Sequence, residues 1–289
     1  MVSIIICSRD KNSLQAVSEN IRQTIGVAYE IIAINNSDGQ YGICKAYNIG
    51  ARQSQYGILC FMHEDVLFHT IGWGQRVASL LADTTIGVLG VAGGRYQPKV
   101  PAGYWGTGPD HLCMNVLHSP PSAPSVLDLC NPVGQPLVEA VVLDGLWLCS
   151  RREVWQQYPF DEQNFPKFHF YDIDYCTAIF KHLRVCVVYD ILIEHFSKGT
   201  LNSQWALAAL DYQRKWAAEL PLSIVPPNEA VRPLLDRQAA IDFINLLLEL
   251  RLPNAVIRQQ LGKLLAMGPI NREVLGVIKK VIQQCYFGK

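Results

Sequence analysis

Short apolar runs alternate with stretches of helical periodicity through the first third of this chain. The apolar runs have the length of single strands, and the first is rich in β-branched residues; they are Val2–Cys7, Glu30–Ile34, Gly57–Met62 and Ile86–Val91. Between them, Lys11–Ile25 and Ile43–Ser54 place apolar residues at helical spacing. Strands that alternate with helices in this way predict βαβ units and an α/β fold with a mostly parallel sheet.

The pattern changes after the fourth apolar run. Residues 93–136 are rich in Gly, Pro and Ser and have no sustained periodicity, which predicts long loops with a β-hairpin over a binding cleft. Regular periodicity then returns, as a strand, a helix, a strand and a helix at Val138–Leu148, Asp172–Leu183, Val185–Tyr189 and Ser203–Glu219. We assign residues 1–220 to one domain, with a first half over 1–92 and a second over 93–220.

A helical segment follows the Pro226-Pro227 pair. Three stretches with apolar residues at helical spacing are separated by glycine and proline; they are Ala239–Leu250, Asn254–Leu265 and Glu273–Phe287. We assign residues 221–289 to a small helical domain. Its broad apolar faces predict packing against the first domain or against a second copy of the chain.

Charge and cysteine usage exclude several classes of protein. The chain has 25 basic and 25 acidic residues among 289, so no net field attracts nucleic acid, and no apolar run reaches the length of a membrane span. The nine cysteines lack C-x-x-C spacing, which excludes a structural zinc site or a disulfide framework. We therefore expect a cytoplasmic protein whose contact with the inner face of a membrane is at most peripheral.

Polar clusters follow three of the predicted strands: Ser8-Arg9-Asp10, Asn35–Asp38 and His63–Asp65. In parallel sheets, ligands bind beyond the carboxyl ends of the strands. These three clusters are therefore expected to meet at one edge of the sheet and to form a binding site there.

Several segments in this order resemble family 2 glycosyltransferases. They are Val2–Ile6, Glu30–Asn36, Lys45–Gly50, Cys60–Val66, Val142–Arg152, Phe160–Glu162, Tyr171–Cys176 and Glu194–Ser197. The resemblance covers roughly residues 2–215 and leaves out the helical tail. It implies the GT-A fold, a three-layer α/β/α arrangement around a mixed, mostly parallel sheet, with a nucleotide half and an acceptor half.

The resemblance also implies a metal site. His63-Glu64-Asp65 stands at the D-x-D motif of the family, whose last carboxylate binds Mn²⁺ or Mg²⁺. Asp65 is therefore the expected main ligand, and His195 is the expected second ligand. His63 replaces the first acidic residue of the motif, and we assign it to contact with the sugar donor, although contact with the metal stays open.

The general base and the donor pocket are assigned in the same way. Asp172 aligns with the aspartate that takes the proton of the acceptor hydroxyl, Tyr171 replaces the preceding family glutamate, and Asp174 is expected to cap the helix. The residues expected to contact the nucleotide or its sugar are Ser8, Arg9, Asn36, Lys45, His63, Asp144 and Gly145. An amide such as Asn36 can donate and accept, so the identity of the base stays open. Trp105 and Trp147 are candidates to stack on a sugar.

Together these features predict an inverting, metal-dependent glycosyltransferase. It would move a sugar from a nucleoside-diphosphate donor to a glycan or lipid-linked glycan in bacterial polysaccharide or surface-glycan assembly. Two alternatives stay open: a catalytically degenerate protein that binds sugar nucleotides, and a nucleotidyltransferase. A nucleotidyltransferase would need a glycine-rich loop after the first strand, and Ser8-Arg9-Asp10-Lys11 contains no glycine.

Overall fold

A computed structural model describes residues 1–121, 123–197, 199–225 and 231–287 of the chain. Pro226-Pro227, the expected domain boundary, lies outside the described residues. The strands, numbered along the chain, are β1 Val2–Ser8, β2 Tyr29–Asn35, β3 Ile58–Met62, β4 Val66–Phe68, β5 Ile86–Gly90, β6 Ala92–Gly94, β7 Tyr96–Gln97, β8 Leu112–His118, β9 Val126–Cys130, β10 Leu137–Ala140, β11 Val142–Leu143, β12 Trp147–Arg151, β13 Arg184–Val188, β14 Ile193–His195 and β15 Leu222–Ser223. The helices are α1 Lys11–Thr24, α2 Ile43–Gln53, α3 Trp73–Leu81, α4 Arg152–Gln157, α5 Tyr171–Phe180, α6 Ser203–Lys215, α7 Arg232–Glu249, α8 Asn254–Leu265 and α9 Arg272–Phe287.

The main sheet has the strand order β10-β13-β5-β12-β3-β1-β2. β1 pairs in parallel with β2 and β3, and β5 pairs in parallel with β13, whereas β12 and β10 run antiparallel to their neighbours. Five of these strands therefore run in one direction, which confirms the expected mixed, mostly parallel sheet. Their carboxyl ends define the edge where the polar clusters lie.

Alternation along β1 explains why helices cover both faces of this sheet. Ile5 lies in a core cluster with Tyr47 of α2, whereas Ile4 and Ile6 lie in a second cluster with Val17 of α1 and Trp73 of α3. Successive strand residues point to opposite faces, so a fully apolar strand requires a helical layer on each side. This arrangement confirms the three-layer α/β/α architecture.

A second, smaller sheet combines strands of the segment that lacks periodicity with strands from elsewhere in the chain. Its order is β11-β6-β8-β14-β4, and β9 pairs with β8 as an antiparallel hairpin in which Val116 lies opposite Asp128. The hairpin was expected in this segment. β4 and β14 were not predicted as strands, and their antiparallel pairing places Val66 opposite His195.

The helical tail packs against the rest of the chain through α7. The ring centroid of Phe243 lies 6.5 Å from that of Trp205 on α6, and the Tyr96 hydroxyl donates to the buried Asp236 carboxylate over 2.7 Å. The apolar face of α7 is thus buried within the same chain, as one of the two expected arrangements. Within the described ranges, no helix is both long enough and apolar enough to cross a membrane.

Candidate active site

A cavity of about 1030 Å³ opens at the carboxyl ends of β1, β2 and β3. It is lined by eight of the residues that the sequence singled out: Arg9, Asn36, His63, Asp65, Asp144, Gly145, Asp172 and His195. The fold therefore brings the expected metal ligands, the expected base and most of the expected donor contacts into one cavity. Its volume lies at the upper end of the range for small-molecule sites, about 300–1,000 Å³.

Two of the expected donor contacts are placed differently. The Ser8 side chain is buried, and its hydroxyl donates to the Glu64 carboxylate over 2.8 Å. Lys45 is exposed, with its ammonium 5.3 Å from the centroid of the Tyr41 ring. Neither is among the described residues that line the cavity.

Asp65 lies between two histidines on one wall of the cavity, which we call the metal wall (His63, Asp65 and His195). Its carboxylate oxygens are 3.9 Å from His63 Nδ1 and 3.6 Å from His195 Nε2. The pairing of β14 with β4 produces this arrangement, because it places His195 beside the residue that follows Asp65, and the Phe196 N–H donates to the Asp65 carbonyl. One carboxylate oxygen and two imidazole nitrogens, all within 4.8 Å of one another, form a set that can hold a metal ion.

Two of the three side chains of the metal wall, Asp65 and His63, are in the charge state that a cation needs, whereas His195 must lose a proton to bind one. Burial acts to raise the pKa of Asp65, but the two imidazole rings outweigh burial and hold this pKa below its ordinary range. Burial and the neighbouring His195 lower the pKa of His63. Burial also acts to lower the pKa of His195, yet the Asp65 carboxylate outweighs it and raises that pKa. Asp65 is therefore ionised and His63 neutral near pH 7, the states in which both ligate metals.

A second pair of cavity residues, Asp172 and Asp144, forms what we call the base wall. The Asp172 carboxylate accepts the Gly145 N–H over 2.8 Å, and the Asp144 carboxylate accepts the Tyr104 hydroxyl over 2.8 Å. Burial, and then the negative charge of Asp144, raise the pKa of Asp172 to about 7. A carboxyl group that titrates near neutral pH has the proton affinity that a general base needs.

The conformation of the backbone before Asp172 sets the direction of the first turn of α5, which carries Asp172. Phe170, the residue that precedes α5, has φ 63° and ψ 4°, a left-handed conformation that is uncommon for a bulky residue. The buried Phe170 ring packs 5.2 Å from Trp205 and 5.5 Å from Tyr212, measured between centroids, and these contacts hold it there. The first turn of α5 thus presents Asp172 to the cavity.

The expectation that Asp174 caps α5 is wrong. The α5 N-terminus has no side-chain cap, and the Asp174 carboxylate instead accepts Lys215 Nζ over 2.9 Å and Trp216 Nε1 over 2.7 Å. Asp174 is buried on the side of α5 that faces α6, where a lysine partner compensates its charge. It therefore fastens α5 to α6 behind the cavity.

Two side chains hold the loops on the nucleotide side: Glu64, to which the sequence analysis gave no role, and Asn36, which it assigned to the nucleotide. Glu64 accepts hydrogen bonds from the backbone N–H groups of Arg9 and Asp10 as well as from Ser8, and so fixes the chain that leaves β1. The Asn36 side-chain amide donates from Nδ2 to the Tyr41 carbonyl and accepts the Tyr41 N–H at Oδ1, over 2.9 Å in each case. Asn36 lines the cavity, but most of its hydrogen-bonding capacity is used within its own loop.

Aromatic side chains surround the mouth of the cavity. Trp105 is 43% exposed and Phe168 is 50% exposed, and both line the cavity. Trp147, in contrast, is fully buried and packs 6.1 Å from Trp73 on the far face of the sheet, so the expectation that it stacks on a sugar is wrong. Phe168 and His118, a third cavity histidine, lie outside the motifs that the sequence analysis used.

Comparison with known proteins places these features in a family. A sequence profile described as a glycosyltransferase-like family matches residues 3–216. No curated protein shows a significant match to this chain.

Solved structures share the fold at low sequence identity. GalNAc-T7 with UDP, GalNAc and Mn²⁺ is 11% identical at a TM-score of 0.53, and the match covers 76% of this chain but only 48% of that one. The mannosyltransferase PcManGT from Pyrobaculum calidifontis, in complex with GDP-Man and Mn²⁺, is 11% identical at a TM-score of 0.52, and the match covers 99% of this chain and 80% of that one. TarS 1–349 from S. aureus is 11% identical at a TM-score of 0.50, and the match covers 100% of this chain and 92% of that one. These likenesses confirm the predicted GT-A fold, and the chain spans about half the length of the GalNAc-T7 chain.

Proposed function

This chain belongs to the glycosyltransferase-like family, and from that premise we propose that it is an inverting, metal-dependent glycosyltransferase. It moves a sugar from a nucleoside-diphosphate donor to a hydroxyl acceptor. The observation that carries the proposal is that one cavity joins an ionised carboxylate between two histidines to a second carboxyl whose pKa is about 7. The first set suits a cation, and the second suits removal of a proton.

The residues of the metal wall fit a divalent cation. Asp65 supplies a hard oxygen, and His195 supplies an imidazole nitrogen once it has lost its proton; its Nε2 lies 3.1 Å from the Ser197 hydroxyl oxygen. Asp65 and His195 would hold Mn²⁺ or Mg²⁺. A cation bound there would neutralise the charge that develops on the departing diphosphate. Arg9 lies on the same cavity surface and adds a positive side chain on the nucleotide side.

Asp172 is the proposed general base. Its carboxylate is oriented by the Gly145 N–H and faces the cavity, where it can take the proton of an acceptor hydroxyl as that oxygen attacks the anomeric carbon. Attack from the face opposite the departing diphosphate inverts the anomeric configuration. The base and the metal wall line one cavity, so a single bound donor can contact both.

The mouth of the cavity supports a saccharide acceptor. Trp105 and Phe168 expose ring surface in the cavity that also holds Asp172, and the C–H faces of a sugar ring stack well on aromatic rings. We propose a glycan or lipid-linked glycan as the acceptor, in bacterial polysaccharide or surface-glycan assembly at the cytoplasmic side of the membrane. We also propose that residues 1–220 form the catalytic domain and residues 221–289 the helical domain.

The test is a donor panel. UDP-, GDP- and dTDP-sugars are each incubated with the full chain and Mn²⁺, and release of the nucleoside diphosphate is measured with and without EDTA. We expect Mn²⁺-dependent release from at least one donor, and inversion at the anomeric carbon when the product is followed by NMR. Donor binding without release would contradict the proposal and favour a degenerate sugar-nucleotide binding protein. Formation of a nucleoside triphosphate and a sugar 1-phosphate when inorganic pyrophosphate is added to the donor would contradict it in favour of a nucleotidyltransferase.

A further inference from the structure

Two residues that depart from the family motifs contact each other in the cavity. His63 stands where the D-x-D motif has its first acidic residue, and Tyr171 stands where the family has a glutamate before the base. His63 Nε2 lies 3.0 Å from the Tyr171 hydroxyl oxygen, although the residues are 108 positions apart in the sequence. This contact joins the end of β3 to the first turn of α5.

The hydrogen bonds around Tyr171 fix which nitrogen of His63 carries the proton. A tyrosine hydroxyl has a single hydrogen, and that of Tyr171 is directed at the Gly145 carbonyl oxygen 3.0 Å away. The hydroxyl oxygen can then only accept from His63, so His63 Nε2 is the protonated nitrogen. If the Tyr171 hydroxyl instead donated to His63 Nε2, the buried Gly145 carbonyl would lose the hydrogen-bond donor that it has in this structure.

Gly145 is the residue that leaves room for this arrangement. A Cβ atom at position 145 would lie 2.0 Å from the Tyr171 hydroxyl oxygen. The same residue donates its N–H to Asp172 and accepts from Tyr171 through its carbonyl. Gly145 therefore positions both the base and the tyrosine.

A proton on Nε2 leaves the lone pair of His63 on Nδ1. This atom lies 3.9 Å from the Asp65 carboxylate, and His63 is one of the three residues whose possible ligand atoms lie within 4.8 Å of one another. Histidines that bind metals through one ring nitrogen donate the other N–H to an oxygen, which fixes the tautomer and the ring orientation. His63 and Tyr171 show this pattern.

We infer that His63 is a third protein ligand of the cation, bound through Nδ1, and that Tyr171 is the residue that positions it. This inference rests on the metal site of the proposed function and extends it to a set of two imidazole nitrogens and one carboxylate oxygen. Imidazole ligands suit transition metals, whereas Mg²⁺ prefers oxygen ligands throughout. The site therefore selects Mn²⁺ over Mg²⁺, and the pair His63–Tyr171 is a determinant of that selectivity.

The tautomer can be observed without any metal. In ¹H–¹⁵N correlation spectra of the full chain, optimised for long-range couplings within imidazole rings, His63 is assigned by its loss in His63→Ala. We expect a protonated Nε2 and an unprotonated Nδ1 in the metal-free protein. A spectrum in which His63 Nδ1 carries the proton would overturn the inference.

Mn²⁺ binding, measured by the decrease of the free-ion EPR signal, tests the role of Tyr171. Tyr171→Phe keeps the ring and removes the hydroxyl, and we expect it to raise the Kd for Mn²⁺ about tenfold, as loss of an outer-shell partner does. Tyr175→Phe is the matched control: it removes another buried hydroxyl from α5, one that is bonded to Ser150 over 2.9 Å. We expect that control to leave the Kd within twofold of wild type.

A double variant separates positioning from a structural effect. In the His63→Ala background, Tyr171→Phe should cause no further loss of Mn²⁺ affinity, because the residue through which it acts is gone. His63→Ala alone should weaken Mn²⁺ more than Tyr171→Phe does and narrow the preference over competing Mg²⁺. An equal loss from Tyr171→Phe in both backgrounds, or wild-type affinity in His63→Ala, would overturn the inference.

The Asp65→Ala variant distinguishes failure of the inference about His63 from failure of the proposed function. If Asp65→Ala abolishes Mn²⁺ binding while His63→Ala does not affect it, the metal site stands and the third ligand is wrong. If Asp65→Ala also binds Mn²⁺ like wild type, the metal site itself is wrong, and the inference fails with it. Circular dichroism and thermal melting establish that each variant is folded.

Discussion

The two walls of the cavity use the same side chain in opposite ways. On the metal wall, Asp65 lies between two imidazole rings, and its pKa is below the ordinary range. On the base wall, Asp172 is half-buried near Asp144, and its pKa is raised to about 7. One carboxylate is therefore a permanent anion, and the other exchanges a proton near neutral pH.

The difference follows from the neighbours that each wall supplies. The metal wall is built on the ends of β3 and β14, which bring nitrogen donors beside Asp65. The base wall is built on the first turn of α5 and the Asp144-Gly145 turn, which place a second carboxylate nearby. Pairs of titratable groups whose pKa values are separated by their surroundings are typical of a division of chemical roles.

The largest expected effect separates the base wall from the metal wall. Asp172→Asn preserves the shape of the side chain and removes its ability to take a proton, so we expect sugar transfer to fall by at least about 10²-fold. Initial rates at saturating donor and Mn²⁺ measure this, and the Kd of the nucleoside diphosphate serves as the internal control. Transfer at a rate near that of wild type would show that the base is another group.

A smaller effect tests whether the charge of Asp144 raises the pKa of Asp172. Because Asp172 must be ionised to accept a proton, transfer should rise with pH through an apparent pKa near 7. Asp144→Asn removes the like charge that raises the Asp172 pKa, so the acid limb should move to lower pH. Rates are measured at fixed Mn²⁺ over about pH 5 to 9, a range that brackets the acid limb. They test the direction in which the limb moves. A limb that stays in place, or moves to higher pH, would contradict the coupling.

The smallest effect lies outside both walls. Tyr96→Phe removes the buried hydrogen bond from the Tyr96 hydroxyl to Asp236, which joins β7 to α7. We expect it to lower the free energy of unfolding by about 1–2 kcal/mol, measured by urea denaturation. Tyr158→Phe, at a half-buried surface position, is the control. Unchanged stability would show that this hydrogen bond does not fasten the tail.

The sequence predicted the elements whose pattern is local. The alternation over β1, α1, β2, α2 and β3 located the sheet, and α8 was placed at its observed bounds, because periodicity and turn residues are properties of the chain itself. Apolar spacing started the first tail helix at Ala239, whereas α7 begins at Arg232. Helix ends depend on propensity and capping as well as on burial, so they were predicted less well.

Long-range pairing could not be predicted. β4 and β14 have three residues each, and their register depends on a partner more than a hundred positions away. The same limit applies to side chains: nothing local shows that Trp147 points to the far face of the sheet, that Glu64 binds the loop after β1, or that Lys215 partners Asp174. The residue types indicated the chemistry, and the fold supplied its geometry.

The central claim is that the two carboxylates act on different parts of the reaction. It is tested most directly by calorimetric binding of a nucleoside diphosphate in the presence of Mn²⁺ to wild type, Asp65→Ala and Asp172→Asn in parallel, with excess EDTA as the common control. The account predicts that Asp65→Ala, like EDTA, abolishes Mn²⁺-dependent binding, while Asp172→Asn binds as wild type does. Equal losses in both variants, or unchanged affinity in EDTA, would contradict the division of roles between the two walls.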